Sequence, residues 1–259
     1  MHQKLGQHFL INKSAIQKII AALDLQKNDT IIEIGPGEGA LTFPLLEKCE
    51  KLNCKLIAIE KDQQLVNWLL GKLVTWTNWE VTKGDALKII NQVTSQLSNW
   101  KLVGNIPYYI TGKLMRVLSE LENKPSLIVL TIQKEVAERI VSKPPKMNLL
   151  ASAIQIWAKP EIIGRLSSKD FDPPPEVDSA ILKLVPEPKN PDFKRYFTLV
   201  KAIFKQPRKT VLNNLSTPQQ TASKSKEEIL NILRQVGLTG QERPQNLTLE
   251  TLIKLSTLF

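Results

Sequence analysis

Short apolar runs alternate with longer segments of helical periodicity over roughly the first 185 residues of this chain. The segments that predict strands are 30–34, 55–59, 100–103 and 126–132, with a weaker strand pattern at 79–83. The segments whose apolar spacing predicts helices are 14–23, 40–51, 62–73 and 113–121. Because strands that alternate with helices assemble into parallel sheets covered on both faces, the pattern predicts an α/β fold.

A polar or glycine-rich feature follows four of the predicted strands. They are Gly35 with the residues around it, Glu60, Asp85 and Asn105. Ligands of such sheets bind beyond the carboxyl ends of the strands. We therefore expect these four features to meet in one crevice.

The first of these features is the loop EIGPGEGAL, residues 33–41. Gly35, Gly37 and Ala40 satisfy the dinucleotide-binding pattern, and a nicotinamide-dependent oxidoreductase is one alternative. Pro36 argues against it, because proline lacks the backbone N–H that a pyrophosphate would use. A carboxylate after the second strand, Glu60, can accept hydrogen bonds from any ribose.

Nucleoside recognition is expected whether the loop binds a nicotinamide dinucleotide or another ligand that contains a nucleoside. An acid after the third strand, Asp85, can accept a hydrogen bond from an adenine amine. A tight turn that binds no ligand is the remaining alternative for the loop.

The stretch GNIPYYITG, residues 104–112, reads as the loop at the end of the fourth strand. Asparagine favours turns and proline fixes φ, so a plain turn with tyrosines in a surface groove is one interpretation. An Asn-x-Pro-Tyr site is the other interpretation, and it depends on the rest of the chain.

The composition changes at PEPKNPD, residues 186–192, where three prolines predict a linker or turn. Helical patterns follow near 193–204, 226–236 and 248–258. We predict a main domain over 1–188, with an N-terminal arm over 1–12, and a small all-helical domain over 189–259.

The charge of the chain is strongly basic and unevenly distributed. The formal net charge is +10, and residues 186–259 hold 12 Lys/Arg against 6 Asp/Glu. Such an excess favours a polyanionic partner, of which nucleic acid is the commonest. A solvated helix face is the alternative explanation for these lysines.

The remaining composition narrows the location and the chemistry. Cys49 and Cys54 are the only cysteines, too few for a disulfide framework. No apolar run approaches the ~18 residues of a membrane span, and the first 20 residues lack a signal-peptide core. We therefore expect a cytosolic protein. Because His2 and His8 are the only histidines, we expect no metal site.

In combination, the motifs resemble the adenosine N6 dimethyltransferases of ribosomal RNA. They are KLGQHFL (4–10), EIGPGEGAL (33–41), IEKD (59–62), GDAL (84–87), NIPYY (105–109), FDPPPEVDSAIL (171–182), PRKTVLNNL (207–215) and ERPQNLTLE (242–250). Pro207 stands where the family usually has arginine, which removes one charge from a segment expected to face RNA. His8 stands where many members have asparagine, and either side chain can hydrogen-bond a ligand.

This resemblance implies a Rossmann-like methyltransferase sheet that uses S-adenosylmethionine as methyl donor. The residues that it assigns to cofactor binding are His8, Leu10, Gly35, Gly37, Glu60, Asp85 and Asn105. Asn105, Pro107 and Tyr108 would form the catalytic loop, in which Tyr108 stacks on the extruded base. Glu60 or Asp85 as a catalytic acid or base is a less favoured alternative.

The resemblance also implies the RNA-facing residues and the substrate. Tyr109 and Phe171 are candidate second aromatic walls, although Phe171 can equally be a packing residue. Arg208 and Lys209 are candidate RNA contacts. The implied substrate is a pair of adjacent adenosines in the 3′-terminal hairpin loop of small-subunit rRNA, each of which is dimethylated. Separately, we expect a monomer.

Two further alternatives stay open. One is the related branch that methylates large-subunit rRNA and confers antibiotic resistance. The other is an assembly factor that keeps the fold but works by binding alone.

Overall fold

A computed structural model of the chain describes residues 8–187, 189, 192–216 and 224–259. Residues 1–7 of the predicted arm, and 188, 190 and 191 of the predicted linker, lie outside this description. The chain divides into two compact units. The first comprises Met1–Ala137 and Pro160–Pro186, and the second comprises Glu138–Lys159 and Glu187–Phe259. The functional boundary predicted at 188/189 stays a prediction.

The strands of the described residues include all five that the apolar runs predict. They are β1 (Phe9–Leu10), β2 (Thr30–Ile34), β3 (Lys55–Glu60), β4 (Trp79–Lys83), β5 (Trp100–Asn105), β6 (Leu127–Gln133), β7 (Ala158–Leu166), β8 (Phe171–Asp172) and β9 (Ser179–Pro186). The predicted bounds of the five strands agree with the structure to within two residues.

The helices of the described residues likewise include every one that was predicted. They are α1 (Lys13–Ala22), α2 (Thr42–Leu52), α3 (Gln63–Lys72), α4 (Ala86–Thr94), α5 (Thr111–Glu120), α6 (Lys134–Ile140), α7 (Leu149–Gln155), α8 (Phe193–Ile203), α9 (Val211–Leu215), α10 (Lys226–Gln235) and α11 (Leu249–Leu258).

The main sheet of the first unit has the strand order β4-β3-β2-β5-β6-β9-β7. Strands β4 to β6 of this order run parallel, with Ile32 paired to both Ile57 and Leu102. The central strands are mostly apolar because helices cover both of their faces. This part of the sheet confirms the predicted α/β fold.

The sheet is mixed rather than wholly parallel. Strand β9 runs antiparallel to β6, with Leu182 opposite Leu130, and β7 lies at the outer edge beyond β9. The alternation of strands and helices predicts only parallel pairs, because it assigns no strand to residues 158–166 or 179–186. Between β7 and β9 lie a 3₁₀-helix, Ser168–Asp170, and the short strand β8, with no crossover α-helix of the kind that joins parallel strands.

A two-stranded sheet ties the N-terminal arm to the segment after β7. Strand β1 pairs antiparallel with β8, so that Leu10 lies opposite Phe171. The pairing continues where the Ile11 N–H donates to the Asp170 carbonyl at 2.9 Å. Residues 9–11 of the arm are therefore held in a defined place on the first unit.

In the second unit, helix α8 packs against α7, α9 and α11. Tyr196 of α8 is fully buried, and its hydroxyl donates to the Ser152 carbonyl at 3.1 Å. The helices predicted after residue 192 are confirmed. Segment 138–159 joins them in the same unit, which the sequence analysis does not anticipate.

None of the helices in the described ranges has the length and apolar character needed to cross a membrane.

Candidate active site

A cavity of about 240 Å³ opens where strands β2, β3 and β5 end and where β4 leads into α4. Every residue that lines it belongs to the first unit. The predicted site residues that it brings together are His8, Leu10, Gly35, Gly37, Glu60, Asp85, Asn105, Pro107, Tyr108 and Tyr109. The crevice expected at the carboxyl ends of the strands is therefore present.

Three predicted RNA-facing residues do not line this cavity. Phe171 is 3% exposed and belongs to the hydrophobic core of the first unit. It corresponds to the packing interpretation, and in this conformation it offers no surface on which a base could stack. Arg208 and Lys209 are exposed residues of the second unit, so their role as RNA contacts stays a prediction.

The glycine loop opens directly onto the cavity. Gly35 has φ +67°, in the left-handed region, and a Cβ built on it would meet no atom within 4 Å. Its N–H donates to the Ile59 carbonyl at 3.0 Å. The Gly39 N–H donates to the Pro36 carbonyl at 2.9 Å. The loop thus offers space beside its backbone, but these N–H groups are already used and Pro36 has none.

Glu60 is a buried carboxylate held in place by the backbone. Its Oε1 accepts the N–H groups of Lys61 at 2.8 Å and Asp62 at 2.9 Å. Its Oε2 accepts the Gly37 N–H at 3.3 Å, which leaves acceptor capacity on that oxygen. Glu60 is therefore oriented before any ligand arrives.

A second buried carboxylate, Glu33, lines the same cavity and was not among the predicted site residues. It is 1% exposed, and the Thr42 hydroxyl donates to its Oε2 at 2.8 Å. Burial raises the pKa of Glu33 to about 8, the Thr42 hydrogen bond opposes the rise, and the charge of Glu60 adds to it. The signal that could have revealed it is an acid inside the otherwise apolar strand TIIEI.

Asp85 begins helix α4 and has two partners. Its Oδ1 accepts the Leu87 N–H at 3.1 Å as the N-cap of the helix. Its Oδ2 lies 3.5 Å from the Lys61 Nζ. The side chain is partly exposed, so it keeps acceptor capacity toward the cavity.

Asn105 ends strand β5 with its amide in a fixed orientation. Its Nδ2 donates to the main-chain carbonyl of His8 at 2.8 Å. A carbonyl can only accept, so the hydrogen-bond network assigns the nitrogen to that side. The Oδ1 of Asn105, on the other side of the amide, can then accept a hydrogen bond from a ligand.

The residues after Asn105 form a tight turn. Pro107 precedes a 3₁₀-helix, Tyr108–Ile110, and its carbonyl accepts the Ile110 N–H at 3.1 Å. The hydroxyl of Tyr108 lies 2.6 Å from the Oγ of buried Ser179. Burial raises the pKa of Tyr108, against a smaller opposing effect of the Ser179 hydrogen bond. Tyr108 therefore stays protonated at neutral pH.

His8 contacts the catalytic loop as well as the cavity. Its ring stacks with Tyr108, with centroids 6.0 Å apart and planes inclined by 24°. Its Nδ1 lies 2.8 Å from the Pro173 carbonyl, so this nitrogen carries the hydrogen. The sequence analysis predicts His8 only as a cofactor residue and misses this second contact.

The charges of the cavity differ with depth. The buried Glu60 carboxylate lies on its floor, beside the buried Glu33 carboxyl group, which its raised pKa keeps mostly protonated at neutral pH. Lys61 and Lys113 are exposed lining residues, so they lie at its mouth. An acidic floor favours a cation and disfavours phosphate, whereas a basic mouth favours phosphate.

Comparisons with known proteins agree with these observations. The family model described as "Ribosomal RNA adenine dimethylase" matches residues 1–254. A curated relative from Dehalococcoides mccartyi (strain CBDB1), "Ribosomal RNA small subunit methyltransferase A", is 39% identical over 256 residues, which is 97% of this chain and 86% of the relative.

Solved structures give the same picture of the fold. A dimethyladenosine transferase from Plasmodium falciparum matches with a TM-score of 0.82 and 26% identity, covering 96% of each chain. The 23S rRNA methyltransferase ErmE matches with a TM-score of 0.74 and 23% identity, covering 96% of this chain and 98% of that one. The second likeness concerns the fold alone.

Proposed function

The chain belongs to the ribosomal RNA adenine dimethylase family, and we propose that it dimethylates two adjacent adenosines of small-subunit rRNA at N6. The methyl donor is S-adenosylmethionine, and the adenosines lie in the 3′-terminal hairpin loop. The products are N6,N6-dimethyladenosines, and the reaction is a step in the biogenesis of the small subunit.

The observation that carries this proposal is the orientation of Asn105. The N6 nitrogen of adenine is a poor nucleophile because its lone pair is delocalised into the ring. With its Nδ2 held by the His8 carbonyl, Asn105 presents Oδ1 as the acceptor for an N6 hydrogen. A main-chain carbonyl near Ile106 or Pro107 accepts the other hydrogen, which favours tetrahedral geometry at N6.

The floor of the cavity fits the methyl donor. S-adenosylmethionine supplies an electrophilic methyl group on a cationic sulfonium. Glu60 would bind the ribose hydroxyls, and Asp85 would bind the adenine amine. The open space beside the Gly35 backbone would receive the methionine part, and His8 and Leu10 would close over it. Gly37 contributes by fixing Glu60.

Tyr108 would stack on the target base after that base leaves its helix or loop. Its hydroxyl bond to Ser179 fixes the plane of the ring before the base arrives. Positioning of the reactants can supply roughly 7–11 kcal/mol, so a strong general base is not required. Glu60 and Asp85 are assigned to binding, and their existing hydrogen bonds suit that role.

The partner is small-subunit rRNA or the assembling 30S particle. Arg208 and Lys209 would contact RNA from the basic second unit, in which Pro207 supplies no charge. The enzyme would act as a monomer in the cytosol and would need no metal.

The alternatives receive less support. The loop N–H groups of Gly35 and Gly39 are bonded internally, which disfavours a nicotinamide dinucleotide held by its pyrophosphate. The curated relative is a small-subunit enzyme, which favours that substrate over large-subunit rRNA. A pure binding factor would have no need of an oriented amide at Asn105.

The test is transfer of labelled methyl groups to unmethylated small-subunit particles, with large-subunit RNA in parallel. We expect label in dimethyladenosine of the small-subunit rRNA alone. Asn105→Ala should lower turnover about 100- to 1000-fold, the range seen when one oriented polar group is removed. Exposed Asn67 on α3 provides the matched control, Asn67→Ala.

Thermal stabilisation by S-adenosylmethionine should survive in Asn105→Ala, because ligand binding raises stability independently of turnover. Label in large-subunit RNA alone would show that the protein has the activity of the branch that methylates large-subunit rRNA. Particle binding without methyl transfer by the unmodified protein would favour the assembly factor.

A further inference from the structure

Tyr109 differs sharply from the tyrosine that precedes it. Tyr108 is half-buried, with its hydroxyl on Ser179 and its ring on His8. Tyr109 is 61% exposed, although it lines the same cavity. Successive residues of a 3₁₀-helix project about 120° apart, which separates the two rings. One ring thus belongs to the site, and the other stands at its mouth with an open face.

Lys113 lies four residues after Tyr109, where the 3₁₀-helix has continued into α5. Residues four apart share a helix face, and both side chains line the cavity. Lys113 is exposed and forms no ion pair within the described ranges. Lys61, the other lysine at the mouth, is paired with Asp85. Of these two lysines, Lys113 is therefore the one without a carboxylate partner among the described residues, and its ammonium group can pair with a ligand.

We propose that Tyr109 and Lys113 form a subsite for the nucleotide next to the target adenosine. The ring of Tyr109 stacks on the neighbouring base, and Lys113 pairs with a phosphate beside it. This inference rests on the proposed function, since it assumes that one base of an RNA strand enters the cavity.

Two physical arguments support this assignment. Phosphates are disfavoured deeper in the cavity because the buried Glu60 carboxylate lies there, so the RNA backbone must remain at the mouth. An exposed aromatic ring beside a cation is the usual arrangement for binding a single strand. Every base has a π face, so the subsite accepts the neighbouring adenosine before and after its own methylation.

The first test compares Tyr109→Ala with Tyr109→Phe on unmethylated small-subunit particles. We expect kcat/KM for particles to fall about 10-fold in the alanine variant and to stay near the original value in the phenylalanine variant. The affinity for S-adenosylmethionine should not change in either variant. Equal kcat/KM values for both variants and the unmodified enzyme would overturn the proposal.

The second test asks whether Tyr109 acts through the neighbouring base. Particles in which the adenosine beside the target is changed to uridine stack less strongly at that position. If Tyr109 touches this base, the fold-loss in kcat/KM for Tyr109→Ala acting on the uridine particles should be smaller than the product of the two separate fold-losses. Strictly multiplicative effects would show that Tyr109 acts elsewhere and would overturn the assignment.

The third test concerns the phosphate. The affinity for unmethylated small-subunit particles is measured at several salt concentrations. Lys113→Gln should make the fall of log affinity with log salt shallower by about 0.7–0.9, which is the effect of one lost phosphate contact. Lys113→Arg should keep the slope. Arg116→Gln is the matched control, since Arg116 is an exposed cation of the same helix that does not line the cavity. An equal change in both glutamine variants would overturn the role of Lys113.

The two proposals fail in different ways. Absence of methyl transfer by the unmodified enzyme to these particles would overturn the proposed function. An active enzyme whose Tyr109 and Lys113 variants behave normally would overturn the subsite alone.

Discussion

The floor and the mouth of the cavity are built on opposite principles. On the floor, Glu60 is held by three backbone N–H groups and Glu33 is held by Thr42. At the mouth, Tyr109 has an open ring and Lys113 has no ion-pair partner among the described residues. A floor completed by the chain itself suits a small ligand of constant shape. A mouth with unused capacity suits a large partner that supplies the missing contacts.

This contrast predicts that changes to the floor alter folding stability, whereas changes to the mouth alter only RNA recognition. The largest effect is expected for Glu33→Gln. Burial raises the pKa of Glu33 from 4.5 to about 8 in the folded protein, so the folded state binds more protons than the unfolded state between these pH values. The free energy of unfolding of the unmodified protein should therefore fall as pH rises through this window, by roughly 5 kcal/mol at most.

Glutamine keeps the hydrogen bond from Thr42 but cannot ionise, so this variant should lose that pH dependence. Urea unfolding at pH 5.5 and pH 9 measures the difference. The exposed loop residue Glu38 supplies the control, and Glu38→Gln should follow the unmodified protein. Parallel pH profiles for Glu33→Gln and the unmodified protein would contradict the assignment of a raised pKa.

The next largest effect on folding stability is expected for Gly104→Ala, at the residue that precedes Asn105 in β5. A Cβ at this position would lie 2.6 Å from the Ile34 carbonyl oxygen, which is backbone and cannot rotate away. The free energy of unfolding should drop by about 3 kcal/mol, as overpacking of a close backbone contact implies. The measurement is chemical denaturation.

Gly112→Ala provides the matched comparison, because a Cβ there meets nothing within 4 Å. Alanine in that helical position should raise the stability by about 0.5–1 kcal/mol. If both variants lose the same stability, the close approach at Gly104 is not the cause.

An intermediate effect is expected for Ser179→Ala, which acts on the boundary between floor and mouth. The change removes the partner of the Tyr108 hydroxyl and should cost about 1 kcal/mol of stability. Turnover of RNA should fall while binding of S-adenosylmethionine stays the same. Tyr108→Phe removes the same bond from the other side, so the double variant should be no worse than either single one. Additive losses would mean that the two hydroxyls do not act as a pair.

The smallest effect on the fold is expected at the mouth itself. Tyr109→Ala should change the free energy of unfolding by less than about 0.5 kcal/mol, because an exposed side chain buries little surface. The same urea titrations measure it. A loss near that of Gly104→Ala would remove the distinction between floor and mouth.

Local sequence patterns predicted the parallel half of the sheet because its central strands are buried on both faces and are therefore mostly apolar. Strands β7 and β9 were not predicted because their place in the sheet depends on a reversal of chain direction, which local apolar spacing does not indicate. Helix α7 escaped because its short apolar pattern also suits a strand or a loop.

The candidate site was predicted well where a residue follows its own strand, as for Gly35, Glu60, Asp85 and Asn105. It was predicted poorly where two distant segments meet. The contacts of His8 with Asn105 and Tyr108 join residues about a hundred positions apart, and no spacing rule reaches that far. The burial of Phe171 likewise follows from its pairing with Leu10.

The bond between Asn105 and the His8 carbonyl has a consequence for which bases the cavity can accept. An amide that is free to turn would offer either its oxygen or its nitrogen, and would tolerate either partner. Here the nitrogen is bound to the His8 carbonyl, so the amide cannot turn over and its oxygen stays on the opposite side. A purine that carries a keto oxygen at position 6, as guanine and hypoxanthine do, would bring two acceptors together and leave both unpaired, at a cost of about 1–3 kcal/mol. The hydrogen bond that fixes the Asn105 side chain thus also selects for an amino group at position 6, and an inosine placed in the hairpin should bind more weakly than adenosine by that margin.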